Sequence, residues 1–355
     1  MKKVFLLPIL LGFILWNGCD SSEKSFDRSE ILEQVASALI LPSYKKLDTE
    51  LKSLQLSATA FNQNPSTSTL ANLKSSLQKA RLAWATSETF NFGPVDQLAL
   101  ATQVNFWPVN TIGIEEEITN YDPTKDYKSL LASNKKGFSA IEYLLYQEEE
   151  AVTIAAFNNS SRQGLLTFFV EDLLRISTEI HSAWLDNYNQ TFITSTGSDV
   201  NSSATILANE LIMLSEQIKN KKLGEPLGLV STITADPSIV EAYYAKQSLA
   251  LIKTNLETMK QTFNGTDGSG FDDFLNALDI TYEGQEPLSS TINSQFDKCL
   301  TAVAAINGSL QEAINSDASH TEDLYDEMRA LIVLLKSDMM SQLSLTVVPG
   351  DNDGD

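Results

Sequence analysis

Histidine is nearly missing from these 355 residues: the chain has only His181 and His320. No His-x-x-x-His or His-x-x-Glu pattern exists, which excludes the helical histidine pairs that hold a water-activating metal in many hydrolases. Cysteine is as scarce, with Cys19 and Cys299 alone, so no disulfide framework can carry the fold. Cations are outnumbered, 25 Lys and Arg against 46 Asp and Glu for a net charge of −21. Such a chain repels nucleic acid and anionic lipid, and nucleic acid is excluded as a partner. Convincing period-two strands are absent, as is any apolar run after the N-terminus long enough to cross a membrane.

What is present starts with a leader. Lys2 and Lys3 precede an apolar run from Val4 to Trp16, the length of a signal-peptide core and too short for a bilayer span. Asn17-Gly18-Cys19 then resembles a bacterial lipobox of the looser Bacteroidetes type, with Trp16 where most carry Leu. The expectation is a signal peptide over 1–18, a lipid on Cys19, a tether over 19–30, and a protein held in the cell envelope at the outer membrane or facing the periplasm. With Cys19 lipidated, Cys299 has no partner and reads as a small buried hydrophobe.

Helical periodicity fills the rest. Leu47, Leu51, Leu54, Ala58 and Phe61 recur at steps of four and three, as do Leu70, Leu73, Leu77, Ala80 and Trp84. Later stripes run Leu173–Ile176–Ile180–Trp184, Leu207–Leu211–Leu214–Ile218, Leu249–Ile252–Leu256–Met259–Phe263 and Leu324–Met328–Leu331–Leu335. Each is one apolar face of a helix, and such faces bury most economically against one another. The fold class is therefore all-α, with two helical bundles. Asn158-Asn159-Ser160-Ser161 is the polar break that separates a first unit, 31–157, from a second, 158–355. Gly93-Pro94 and Trp107-Pro108 interrupt the first. Lys219, Lys221 and Lys222 crowd a helix end where cations suit the dipole, with Gly224 placed as its C-cap.

Gly137-Phe138-Ser139-Ala140-Ile141-Glu142-Tyr143-Leu144-Leu145 resembles the signature of the imelysin family, bacterial envelope proteins classed as metallopeptidases and also linked to iron uptake. The family pattern is Gly-x-His-x-x-Glu, and Ser139 stands where the His belongs. Further segments in the family's order are Leu41 to Tyr44, Ala80 to Trp84 with Phe92-Gly93-Pro94, Phe106 to Asn110, Lys222 to Gly228, Val240 to Ser248 and the acidic Asp351 to Asp355. The resemblance implies two related helical bundles packed together with the motif near their junction. It makes Glu142 and Ser139 the candidate catalytic or metal-binding pair, and Gly137, Arg81, Trp84, Trp107, Asn110 and Glu241 the candidate ligand-binding residues.

The residues themselves also allow a plainer reading. Ser139-Ala140-Ile141-Glu142 has the form of a capping box, with Phe138 and Tyr143 at the staple positions, so the segment starts a helix. Serine is a poor ligand for zinc or iron and no general base. His181 could replace the missing ligand, and otherwise reads as a partly exposed helix residue. Glu115 to Glu117 and Glu148 to Glu150 read as solvated faces. The combined expectation is an envelope lipoprotein acting as a binding or accessory module in iron or other divalent-metal acquisition. Its partners would be the membrane through the lipid, and a metal ion, peptide or envelope protein. The alternatives are an imelysin-type metallopeptidase, or a relative that has lost catalysis and keeps the cleft.

Overall fold

The apolar stripes become the buried faces of long helices in the computed structural model, which describes residues 27–230 and 234–348. The lipobox, Cys19 and the Asp351 to Asp355 tail lie outside the described residues. The helices that matter here are α1 (Arg28–Val35), α2 (Leu41–Gln63), α3 (Thr67–Ser87), α4 (Thr111–Thr119), α5 (Gly137–Tyr146) and α6 (Ser160–Ala183). They continue with α7 (Ser203–Gln217), α8 (Ser248–Asn264), α9 (Leu288–Ala305) and α10 (Ser319–Val333). Strand among the described residues is limited to a two-residue antiparallel pair, Thr281–Tyr282 with Glu286–Pro287.

The first bundle is built on the α2–α3 hairpin. Ser66 closes its turn: the Ser66 hydroxyl accepts from the Thr69 amide while the Thr69 hydroxyl accepts from the Ser66 amide. The stripe Leu47, Leu51, Leu54, Ala58 and Phe61 is buried to the last residue, and so is Leu70 to Trp84 on the facing helix. α6, which follows the polar break at 158–161, packs lengthwise on α2 and also on α5. α5 in turn lies against α3, closing four helices around one core.

In the second bundle α8, α9, α10 and α7 pack in that order. α8 lies on α3 as well, so the apolar cores of the two bundles run together. On α8 the buried face is shifted by one helical row from the sequence stripe: Leu251 is buried beside Ile252, Leu256, Met259 and Phe263, and Leu249 is only partly covered. Cys299 is fully buried on α9, and burial pushes its thiol up to about 12, as suits an inert core residue.

Wide π-type turns interrupt several helices, at Ala36–Ile40, Trp184–Tyr188, Ile218–Gly224 and Leu334–Met339. The turn after α7 corrects two expectations. Gly224 is not the cap: the chain stays helical to Leu227, and Gly228 takes the left-handed conformation. Gly224 is small because its Cβ would fall 2.3 Å from Val230. Lys222 does not serve a helix end in solvent either, since the π-turn rotates it inward to 1% exposure.

Gly137 sits at the start of the motif helix with φ +75°, where a Cβ would lie 2.4 Å from the Val104 carbonyl oxygen. Gly284 has a similar φ of +71° and open space around it. Gly284→Ala is therefore expected to cost only left-handed strain, about 1 kcal/mol, and Gly137→Ala distinctly more. Thermal denaturation midpoints of the two variants check this, and equal losses would show that the Val104 contact is relieved at no cost.

Candidate functional site

The motif helix α5 is apolar on nearly every side, and Phe138 to Leu145 are all buried. Two polar side chains in that run therefore need internal partners. Glu142, 1% exposed, finds them in both bundles. Its Oε2 is paired with Arg81 of α3, itself 1% exposed, and its Oε1 accepts from the Ala245 amide at 2.7 Å. Ser139, 4% exposed, finds none: its hydroxyl has no hydrogen-bond partner.

This arrangement corrects the capping-box expectation. The helix already begins at Gly137, with Lys136 preceding it in extended conformation, so Ser139 stands inside the first turn. Glu142 is then turned inward to Arg81 and cannot reach back to the Ser139 amide. The left-handed Gly137 makes the turn that a capping serine would otherwise make.

A chain of buried polar contacts leads away from Glu142. The second Arg81 nitrogen approaches Asn105 Oδ1 at 3.5 Å, and Asn105 donates to Glu241 Oε1 at 2.7 Å. The other Glu241 oxygen pairs with Lys222 at 3.0 Å. Lys222 also reaches Glu88 at 3.1 Å and Asn255 Oδ1 at 2.8 Å, while Asn255 donates to Glu88 Oε2 and to the Ala85 carbonyl, each at 2.8 Å. Burial pushes the Glu88 carboxyl above its ordinary range; Lys222 pulls against this and Glu241 adds to it. Burial would lower the Lys222 ammonium, yet Glu241 and Glu88 together hold it above its usual value.

Beside Glu142 opens a cleft of about 220 Å³. Ser139 and Glu142 are its most buried polar residues, Trp107, Val240 and Ala242 form walls, and Pro108, Ser238 and Tyr243 lie at the exposed rim with Tyr244 nearby. One wall is the strap 240–247, which carries two non-glycine residues at positive φ, Ala242 at 54° and Lys246 at 55°. Such backbone persists only where surroundings hold it. Here the Ala245 amide is fixed by Glu142, the Glu241 side chain by Lys222 and Asn105, and the Tyr243 carbonyl by Gln311 at 2.7 Å. Tyr143 and Tyr244 meet edge to face at 5.7 Å beside the cleft.

The structure thus brings together Gly137, Ser139, Glu142, Arg81, Trp107 and Glu241, in three different capacities. Ser139, Glu142 and Trp107 line the cleft; Arg81 and Glu241 lie beneath it in the buried chain; Gly137 shapes the helix entry. Lys221 stacks on Trp107 with its ammonium 4.0 Å from the ring centroid. Trp84 is buried in the core of the first bundle, and Asn110 caps α4 by accepting from the Gly113 amide at 2.9 Å. His181 is set apart. Asp172 of α6 lies 3.6 Å from Lys136 at the start of the motif helix, and His181 follows nine residues later, about 13 Å further along the helix.

Residues not anticipated from sequence are Glu88, Asn105, Lys222 and Asn255, with Tyr243 and Tyr244 at the rim. Asn255 did leave a signal, a polar residue on the buried stripe between Ile252 and Leu256. A resident metal does not fit the pair at Ser139 and Glu142. Both Glu142 oxygens already hold protein donors, a neutral serine hydroxyl is a poor ligand, and among the described residues no group of three or more His, Cys, Asp or Glu is arranged to hold an ion.

A second acidic feature lies on the far side of Glu88, in a cavity of about 350 Å³ that Glu210 also lines. Burial, helped by Asp96, pushes the Glu210 carboxyl up to about 8. Because the folded value is raised, its contribution to stability is full below the ordinary glutamate range near 4.5 and is lost as pH rises towards 8. Glu210→Gln is therefore expected to stabilise the protein at pH 8 and to leave it nearly unchanged at pH 4.5, as read by denaturation midpoints at the two values. Lys222→Met should do the reverse at neutral pH, costing about 3–5 kcal/mol by leaving Glu88 and Glu241 buried without a cation. Denaturant unfolding checks this, with a smaller loss expected as pH falls and the raised Glu88 carboxyl takes up its proton.

The fold has known counterparts. An imelysin-like protein from Psychrobacter arcticum 273-4 superposes with a TM-score of 0.73 and 20% identity over 91% of this chain and 98% of that one. A protein classed as an iron-regulated protein A precursor, from Parabacteroides distasonis ATCC 8503, gives a TM-score of 0.77 and 18% identity over 91% of this chain and 97% of that one. In sequence, iron-regulated protein A of Synechococcus elongatus is 21% identical over 303 residues, 82% of this chain and 79% of that protein. The family model described as imelysin matches residues 40–337. Spanning most of the chain, that match shows that the protein belongs to the imelysin family.

Proposed function

We propose that this chain is a binding or accessory module of the cell envelope that serves iron acquisition by holding a ligand in the cleft beside Ser139 and Glu142, without peptidase chemistry. The observation that carries the reading is the state of Glu142. A base or metal ligand works through a negative charge that no other group has claimed, and here Arg81 matches that charge at one oxygen while the Ala245 amide holds the other. The carboxylate instead ties the cleft wall of the second bundle to the motif helix of the first. The iron context rests on the iron-regulated protein A relatives, and the envelope placement on the lipobox-like leader ending at Cys19.

The test is genetic and biochemical together. A strain lacking the protein is expected to grow normally with ample iron and slowly under iron limitation, and the wild-type chain, but not Tyr243→Ala at equal abundance, restores growth. Growth indifferent to iron sinks the acquisition reading. Peptide hydrolysis by the purified chain that disappears in Glu142→Ala would establish the metallopeptidase reading in its place.

A further inference from the structure

We propose that the cleft takes a single neutral sugar ring, with its hydroxyls on Ser139 and Glu142 and its apolar face against the aromatic wall; this rests on reading the cleft as a ligand site. Size sets the first limit. About 220 Å³ is of the order of cavities that take one six-membered ring. The lining sets the second. Trp107, Tyr243 and Tyr244 supply flat faces at wall and rim, and Thr111, Ser139, Ser238 and Glu142 supply the polar atoms.

Charge decides between ligand classes. Among the described residues that line the cleft, Glu142 is the one that carries charge. An anionic ligand would meet a carboxylate and no lining cation. A cationic one would give up its hydration for a carboxylate whose charge Arg81 already matches, a poor exchange in a buried site. A hydroxyl needs neither. It donates to a remaining carboxylate lone pair on Glu142 and exchanges a hydrogen bond with Ser139, whose buried hydroxyl lacks any protein partner. The unpaired serine is what an occupant with both donor and acceptor capacity would satisfy.

One ring in three charge states tests this. The full chain in detergent is titrated with methyl glucoside and N-acetylglucosamine (neutral), glucosamine (an ammonium) and glucuronate (a carboxylate). Binding is read by saturation-transfer NMR and by tryptophan fluorescence. The neutral rings are expected to bind at least tenfold more tightly than either charged one. Ser139→Ala and Tyr243→Ala should each weaken them about fivefold or more with unchanged thermal midpoints, Tyr243 being 39% exposed and safe to truncate. Equal or tighter binding of a charged ring, or no effect of either substitution, overturns the proposal. No binding by any ring overturns it too; if Tyr243→Ala still fails to restore iron-limited growth, the ligand class alone is wrong and the cleft reading stands.

Discussion

An arginine that is 1% exposed must have a carboxylate beside it, and in this molecule that carboxylate comes from the motif helix. The pairing of Arg81 with Glu142 is the constraint on which the junction of the two bundles depends. It fixes α5 against α3 inside the first bundle. Through the other Glu142 oxygen it also fixes the strap 240–247 of the second. Removing either charge would leave the other buried without its counter-ion.

The pair does not stand alone. Asn105, Glu241, Lys222, Glu88 and Asn255 extend it, so three buried carboxylates are balanced by two buried cations and two amides. Burial and the excess of acid leave Glu88 with a raised affinity for a proton, while Lys222 is held charged. Buried ionic networks add little net stability over an apolar core, but they tolerate few alternative arrangements. Here the network aligns α3, α8, the π-turn after α7 and the strap, each of which contributes one of its members. The same alignment builds the cleft wall and supports the positive-φ residues Ala242 and Lys246 within it.

The motif helix sets the polar groups that the cleft presents. With Ser139 in the first turn of α5, the cleft has a small unpartnered hydroxyl beside a carboxylate that is already paired. That combination favours recognition by hydrogen bonding over metal-assisted chemistry, which needs several basic ligands converging on one ion. The fold remains that of the imelysin family, and the chemistry of the site follows from the residues that line it.

Much of the architecture was legible in the chain. The stripes through Leu47, Leu70, Leu173, Leu207 and Leu324 marked the long helices, because a period of 3.6 leaves a helix no other way to bury its apolar residues. The ordered segments around Gly137, Phe92 and Lys222 marked the family. Local pattern misjudged what depends on neighbours distant in sequence. Ser139-x-x-Glu142 has the letters of a cap, and only the left-handed Gly137, with the Val104 carbonyl where a Cβ would stand, shows that the helix starts earlier. Lys222 looked like a helix-end cation until the π-turn rotated it toward Glu88 and Glu241, 134 residues before it and 19 after. That α6 packs on α2 and α5, across the polar break at 158–161, was likewise a matter of tertiary packing. Sequence by itself determined where the long helices run and most of their apolar faces, because the 3.6-residue period is local to each helix. Which buried charges meet, and so where a cleft can form, was decided by tertiary structure, because an ion pair is set by distance in space and carries no period along the chain.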